Sequence, residues 1–228
     1  TLYILTEYCS GGQLSDVIAA RGGKAFPERQ VLSIFSQVCR GVQQLHNARP
    51  HPIAHRDLKV ENVVVHEDGS FKLCDLGSAT PCGNRAFETA QERALLAEEI
   101  QKLTTVEYRA PEMADPWSGK GVSERSDLWA LGCILFRLAF LQLPFPAGGH
   151  AQAQSGKFEF PPGSPYSPRL HHLVSALLRV DPDDRPDINT VVEILSNQSR
   201  AIPPAHTPDK TQAPAGAENG TPAQRRAA

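Results

Sequence analysis

Apolar and polar positions alternate with different periods along this chain of 228 residues, and each period predicts an element. Leu2-Tyr3-Ile4-Leu5-Thr6 is a short apolar run of β-forming residues and reads as a strand, which Glu7-Tyr8-Cys9-Ser10-Gly11-Gly12 breaks. A short amphipathic helix follows from about Gln13 to Ala20, ended by Arg21-Gly22-Gly23. Pro27 suits the first turn of a helix, where its missing N–H costs nothing. From there Val31, Ile34, Phe35, Val38, Val42 and Leu45 recur at three- and four-residue steps, one buried face of a long helix. Val63-Val64-Val65 predicts a strand, Glu67-Asp68-Gly69-Ser70 a turn, and Phe71 to Cys74 the return strand of a hairpin. Phe87 to Leu103 reads as a helix with Leu95, Leu96, Ile100 and Leu103 on one side. Residues 126–136 are apolar on nearly every face and predict a helix buried all round, in which Asp127 must bond backbone groups to be tolerated. Ser167-Pro168 opens a helix carrying Leu170, Leu173, Val174, Leu177 and Leu178, and Pro186 opens a last one with Ile188, Val191, Val192 and Leu195.

After about Arg200 the pattern stops. Ile202 is the one aliphatic side chain there larger than Ala or Pro, so the segment cannot bury enough surface to offset its ordering entropy, and disorder is expected over 199–228. The rest, 40% hydrophobic and 21% charged over the whole chain, is long enough for one domain with a substantial core. A net charge of -2 gives no global basic field for nucleic acid or an anionic membrane, and no apolar run reaches the length of a membrane span. Five scattered cysteines, at 9, 39, 74, 82 and 133, with no Cys-x-x-Cys pair, favour neither a disulfide framework nor a zinc site; reduced thiols in the cytoplasm are the default.

The chemistry concentrates in His55-Arg56-Asp57-Leu58-Lys59-Val60-Glu61-Asn62, between the long helix and the hairpin, and in Cys74-Asp75-Leu76-Gly77 at the hairpin's end. Phosphoryl transfer needs an oxygen acceptor for the substrate hydroxyl proton and hard oxygen ligands for Mg²⁺ on the nucleotide phosphates. Asp57 fits the first role; Asn62 and Asp75 fit the second, and the hairpin returns Asp75 beside Asn62.

With these residues in place, Thr1 to about Asn197 resembles the large lobe of a eukaryotic protein kinase, which implies an α+β, mainly helical C-terminal lobe with a short β-hairpin. His55 to Asn62 resembles the catalytic loop, Asp75-Leu76-Gly77 the metal-binding triplet with leucine for phenylalanine, and Ala110-Pro111-Glu112 the end of the activation segment. The resemblance implies that Glu112 pairs with Arg185 and that Asp127 braces the catalytic-loop backbone. It implies that Lys59 stabilises charge on the transferring phosphoryl group, as in serine/threonine kinases, and that Thr105 bridges Lys59 and Asp57. His55 would pack and hydrogen-bond rather than act as a base, and Arg56 would hold a phosphorylated activation loop or form a simple loop ion pair. ATP and Mg²⁺ are the implied cofactors. Glu7 to Cys9 would be the hinge whose backbone bonds adenine, with Thr6 as gatekeeper, Gln13 at the ribose and Val64 under the base. Cys74 is either reachable from the nucleotide pocket or a buried inert thiol.

Val60-Glu61-Asn62, Gly77-Ser78-Ala79-Thr80, Tyr108 to Met113, Ser118-Gly119-Lys120 and Asp127 to Cys133 look more narrowly like the Numb-associated kinases, which include adaptor-associated, cyclin-G-associated and yeast actin-regulating kinases. That likeness implies a helical activation segment and protein substrates among clathrin-adaptor or actin-patch proteins, with a cytoplasmic site at the periphery of endocytic membranes. The family also needs a smaller lobe, with a Gly-rich loop and a phosphate lysine, and neither can be placed in these residues. The expected organisation is therefore residues 1–12 as strand and hinge, 13–198 as C-lobe and 199–228 as tail, in a piece of a full kinase that is nearly inactive alone. The rival expectation is a pseudokinase-like binding scaffold, with a lipid or small-molecule kinase as a weaker third.

Overall fold

The computed structural model describes residue 3 and residues 5–82, 89–145 and 149–200. The expected tail beyond Arg200 lies outside them, as do Leu2 and Ile4 of the expected first strand and Phe87 at the expected start of its helix. Eight α-helices occur among the described residues: α1 (Leu14–Ala19), α2 (Glu28–His46), α3 (Ala90–Leu103), α4 (Pro111–Ala114), α5 (Arg125–Phe140), α6 (His150–Ser155), α7 (Pro168–Leu177) and α8 (Ile188–Arg200). Two antiparallel ribbons complete the order. β1 (Ile53–Ala54) pairs with β4 (Thr80–Pro81), and β2 (Val63–Val65) pairs with β3 (Phe71–Leu73) in the register Val63 to Leu73 and Val65 to Phe71.

The core forms around α5, whose side chains from Ser126 to Phe136 are all buried, as its all-round apolar pattern demands. It packs against α2 and α7, and α2 packs against α8. Gly132 lets α7 come close: a Cβ there would stand 2.8 Å from Leu178 Cδ2 and 3.0 Å from Leu177 Cβ. The buried stripe of α2 is Val31, Ile34, Phe35, Val38, Cys39, Val42 and His46, so its last turn places a histidine in the core rather than Leu45.

Several expectations are corrected. Tyr3, Leu5 and Thr6 form no strand, and Tyr3 and Leu5 are exposed, because no described strand lies alongside to complete a ladder. Helix α3 begins at Ala90 behind a Thr89 cap, and Leu95 is 59% exposed. Adjacent residues sit about 100° apart on a helix, so Leu96 and Ile100 take the core face and Leu95 cannot. Pro27 precedes α2 rather than lying in it, and α8 starts at Ile188, two residues beyond Pro186. The β1–β4 ribbon and α6 have no counterpart in the sequence reading.

Candidate active site

Residues 55–62 run from β1 into β2 and are held from below. The carboxylate of Asp127, 1% exposed in the first turn of α5, accepts the backbone N–H groups of His55 (2.8 Å) and Arg56 (2.9 Å) and contacts His46 Nε2 (2.9 Å). Arg56 sits at φ +64°, a left-handed conformation that a residue with a Cβ rarely adopts without constraint. Two charge-assisted bonds to one buried carboxylate supply that constraint. His55 Nε2 meets the Cys74 carbonyl at 3.2 Å and its Nδ1 accepts the Asp57 backbone N–H at 3.4 Å, so the ring ties the loop to the end of β3 with both nitrogens engaged by backbone groups.

Asp57, next in the chain, is the hub of a closed set. Its Oδ1 accepts the backbone N–H of Thr105 (2.9 Å) and the Thr105 hydroxyl (2.7 Å). Its Oδ2 lies 2.9 Å from Lys59 Nζ and 3.1 Å from Asn62 Nδ2. Lys59 Nζ also donates to Thr105 Oγ1 at 2.8 Å, and Asn62 Nδ2 to the Asp57 carbonyl at 2.8 Å. A lysine and a threonine two and 48 residues away thus converge on one carboxylate. Every side-chain contact there is a donor, so both Asp57 oxygens act as acceptors.

Asp75 follows β3 at φ +60°, and its Oδ1 accepts the Gly77 N–H at 3.2 Å. The Cys74 N–H bonds to the Asn62 carbonyl at 3.0 Å, so the hairpin brings the backbones of Asn62 and Asp75 together as expected. Asp75 is exposed, and the Asn62 amide nitrogen is committed to Asp57, so the unused atoms of the pair are hard oxygens. No group of three His, Cys, Asp or Glu that could hold a metal exists among the described residues. Two oxygen donors fit Mg²⁺ that draws its other ligands from phosphates and water, and do not fit a cage that binds the ion alone.

The expected nucleotide residues lie along the hairpin. Gly11 N–H bonds to the Val65 carbonyl and Val65 N–H to the Gly12 carbonyl, both at 2.9 Å, and Gln13 bridges to Val64. Gly11 is needed for this approach, since a Cβ there would lie 2.8 Å from Val65. Val64 and Cys9 are half-buried, and Thr6, Glu7 and Gln13 exposed. Glu7 does not face the loop: its carboxylate pairs with Lys72 at 2.7 Å, which lowers its pKa. Cys74 is half-buried, with its thiol pKa raised first by burial and then by the Asp75 charge, which weighs toward the inert reading. A groove of about 860 Å³ between α7 and α8, lined by Leu173, Ala176, Pro186 and Ile194, carries none of these groups.

Beneath the site Glu112 and Arg185 pair in two bonds of 2.7 Å with both side chains buried. Two contributors escaped the sequence reading. His46 had a signal, a polar residue one helical turn after Val42 on the buried stripe of α2. Glu99, whose Oε1 takes Arg56 Nη2 at 2.6 Å, had none, because its partner is 43 residues away.

The sequence profile of the protein kinase domain matches residues 1–195. A probable serine/threonine-protein kinase of Dictyostelium discoideum is 45% identical over 195 residues, which is 85% of this chain and 24% of the relative. Actin-regulating kinase 1 of Saccharomyces cerevisiae is 38% identical over 214 residues, 93% of this chain and 33% of its own. A second probable serine/threonine-protein kinase of Dictyostelium discoideum is 38% identical over 208 residues, 89% of this chain and 18% of its own. The chain therefore spans a third or less of each of these relatives.

Proposed function

The chain belongs to the protein kinase family, and from that premise we propose that its protein transfers the γ-phosphate of ATP to serine or threonine hydroxyls of other proteins. The observation that carries this reading is the closed set of Asp57, Lys59, Asn62 and Thr105. Asp57 Oδ2 accepts the proton of the incoming hydroxyl. Lys59, held by Asp57 and Thr105, balances the negative charge that grows on the transferring group. Thr105 sets the rotamer of both. Asn62 and Asp75 would hold Mg²⁺, which when bound neutralises phosphate charge. Residues 6–9 offer backbone groups to the adenine, Gln13 a polar side chain to the ribose, Val64 an apolar surface to the base, and Cys74 a thiol at the pocket's edge.

On this reading residues 1–12 are the hinge and 13–198 the large lobe. The Gly-rich cover and phosphate lysine then come from outside these 228 residues. Transfer by the chain alone should be slower than by the full-length protein by on the order of 10²–10³, the size of one lost electrostatic donor. The direct test is labelled γ-phosphate transfer by the full-length protein: Asp57→Asn abolishes it, and wild-type rates in that variant overturn the assignment. Likeness to actin-regulating kinase 1 supports a place among the Numb-associated kinases, with endocytic adaptor or actin-patch substrates and a cytoplasmic site. No described helix is long and apolar enough to cross a membrane.

One observation favours a second reading, a scaffold that binds without transferring: Leu76, in the metal-binding triplet, is 56% exposed. Titration of ATP with and without Mg²⁺ separates the two, since metal-dependent binding belongs to the enzyme.

A further inference from the structure

We propose that the apolar groove between α7 and α8 is the docking site of the chain's own next segment, Ala201-Ile202-Pro203-Pro204, with Ile202 as the anchor. Nothing in that contact depends on phosphate transfer.

The groove, of about 860 Å³, is roomy enough for several side chains. Leu173 and Ala176 of α7 line it, with Pro186 and with Ile194 of α8, which is 37% exposed. The core stripe of α8 is Ile188, Val191 and Leu195, all buried. Ile194 stands about 100° round the helix from Leu195 and cannot join that stripe. Its side chain is apolar surface that the packed helices leave open to the groove.

The course of the chain selects the occupant. Asn197 also lines the groove, one turn before α8 ends at Arg200. A helix advances 1.5 Å per residue and an extended chain about 3.3–3.6 Å. Two residues beyond Arg200 therefore carry Ile202 back by about 7 Å, level with the turn between Ile194 and Asn197. The composition of the segment suits the site. Ile202 is the one aliphatic side chain larger than Ala or Pro after Arg200, and Pro203 and Pro204 follow it. Arg169 and Arg179, both exposed, also line the groove and disfavour a cationic occupant. Ala201 to Asp209 contains no Lys or Arg.

The ordering entropy that counts against the tail as a whole is smallest in this stretch, because the two prolines have φ fixed before they dock. The tether also helps. So short a connection gives an effective concentration in the millimolar range, so a contact of millimolar strength keeps the groove occupied about half of the time.

The test is amide hydrogen exchange over residues 170–177 and 191–197 in the full-length protein. Wild type is compared with Ile202→Ser, with Ile202→Leu, which keeps an apolar anchor, and with the control Ala215→Ser farther along the tail. None of these changes touches a core residue, so each variant keeps the fold. Exchange in both helices should be about threefold faster in Ile202→Ser, the protection lost when the effective concentration is about twice the dissociation constant. Ile202→Leu and Ala215→Ser should exchange as wild type does. Equal exchange in wild type and Ile202→Ser overturns the proposal, and so does a rise as large in Ile202→Leu or Ala215→Ser. Exchange that slows with protein concentration whether or not Ile202 is present assigns the groove to a second copy of the chain, and overturns it as well.

Discussion

Replacing Glu112 by glutamine tests how the floor of the site is held. The Glu112 carboxylate meets Arg185 Nη1 and Nη2 at 2.7 Å each and accepts the Ser126 hydroxyl at 2.8 Å, with side-chain exposures of 1% and 0% for the pair. Arg185 also donates to the carbonyls of Arg179, Val180 and Arg125 and lies 5.3 Å from the centre of the Trp129 ring. Glutamine keeps the volume and removes the charge, leaving a buried guanidinium without an anion. That kind of loss costs about 3–5 kcal/mol. A domain is stable by only about 5–15 kcal/mol, so about a fifth or more of the total goes. With a urea slope of about 2 kcal/mol/M the midpoint falls by about 1.5–2.5 M. The assay is urea unfolding followed by far-UV circular dichroism and tryptophan fluorescence, whose coincidence licenses a two-state treatment. A double-mutant cycle with Arg185→Met completes it: removing both charges should cost less than the sum of the singles by at least about 1 kcal/mol. A loss below about 1 kcal/mol in Glu112→Gln, or simple additivity in the cycle, refutes the reasoning.

Three further outcomes are expected. Gly132→Ala drives a Cβ to 2.8 Å from Leu178 Cδ2 and 3.0 Å from Leu177 Cβ, and should cost about 1–3 kcal/mol in the same unfolding assay. Asp187 accepts the Thr190 N–H at 2.7 Å ahead of α8, and that bond holds its carboxyl below the usual pKa. A lowered folded pKa means stability present above the unfolded value of about 3.9 and lost as pH falls through the folded one. Asp187→Ala should therefore cost about 1 kcal/mol at neutral pH, with a gap from wild type that shrinks below about pH 4 in urea midpoints. Burial pushes the Tyr108 phenol up to about 12, against the pull of Arg137, so difference absorbance at pH 11 should show this tyrosine still protonated and Tyr108→Phe should lose no ionising group there.

Much of this arrangement was legible before any coordinates. The stripe Val31 to Val42 dictated α2, and the all-round apolar run dictated α5, because burial periodicity is written locally. Asp57, Asn62 and Asp75 were legible because five residues and one hairpin fix their spacing. What was not legible depended on distant partners. Tyr3, Leu5 and Thr6 fit a strand by composition, but a strand exists only where another backbone completes its ladder. Leu95 and Leu96 are equal in hydrophobicity, and only the direction of the core decides between them. The partnership of Arg56 with Glu99 crosses 43 residues, and Glu98 beside it would have matched the sequence equally well.

The anchoring of residues 55 and 56 on Asp127 means that the reactive face takes its reference point from the interior of the molecule. Surface segments that bond neither to residues 55–57 nor to Asp127 can lengthen or change sequence without moving that reference point. The same arrangement transmits faults outward. An oversized side chain at Leu131 or Cys133, both fully buried along α5, tilts the helix that carries the anchor and so misplaces a carboxylate it never touches. Damage of that kind would register as slow chemistry in a protein whose every substrate-facing atom is intact.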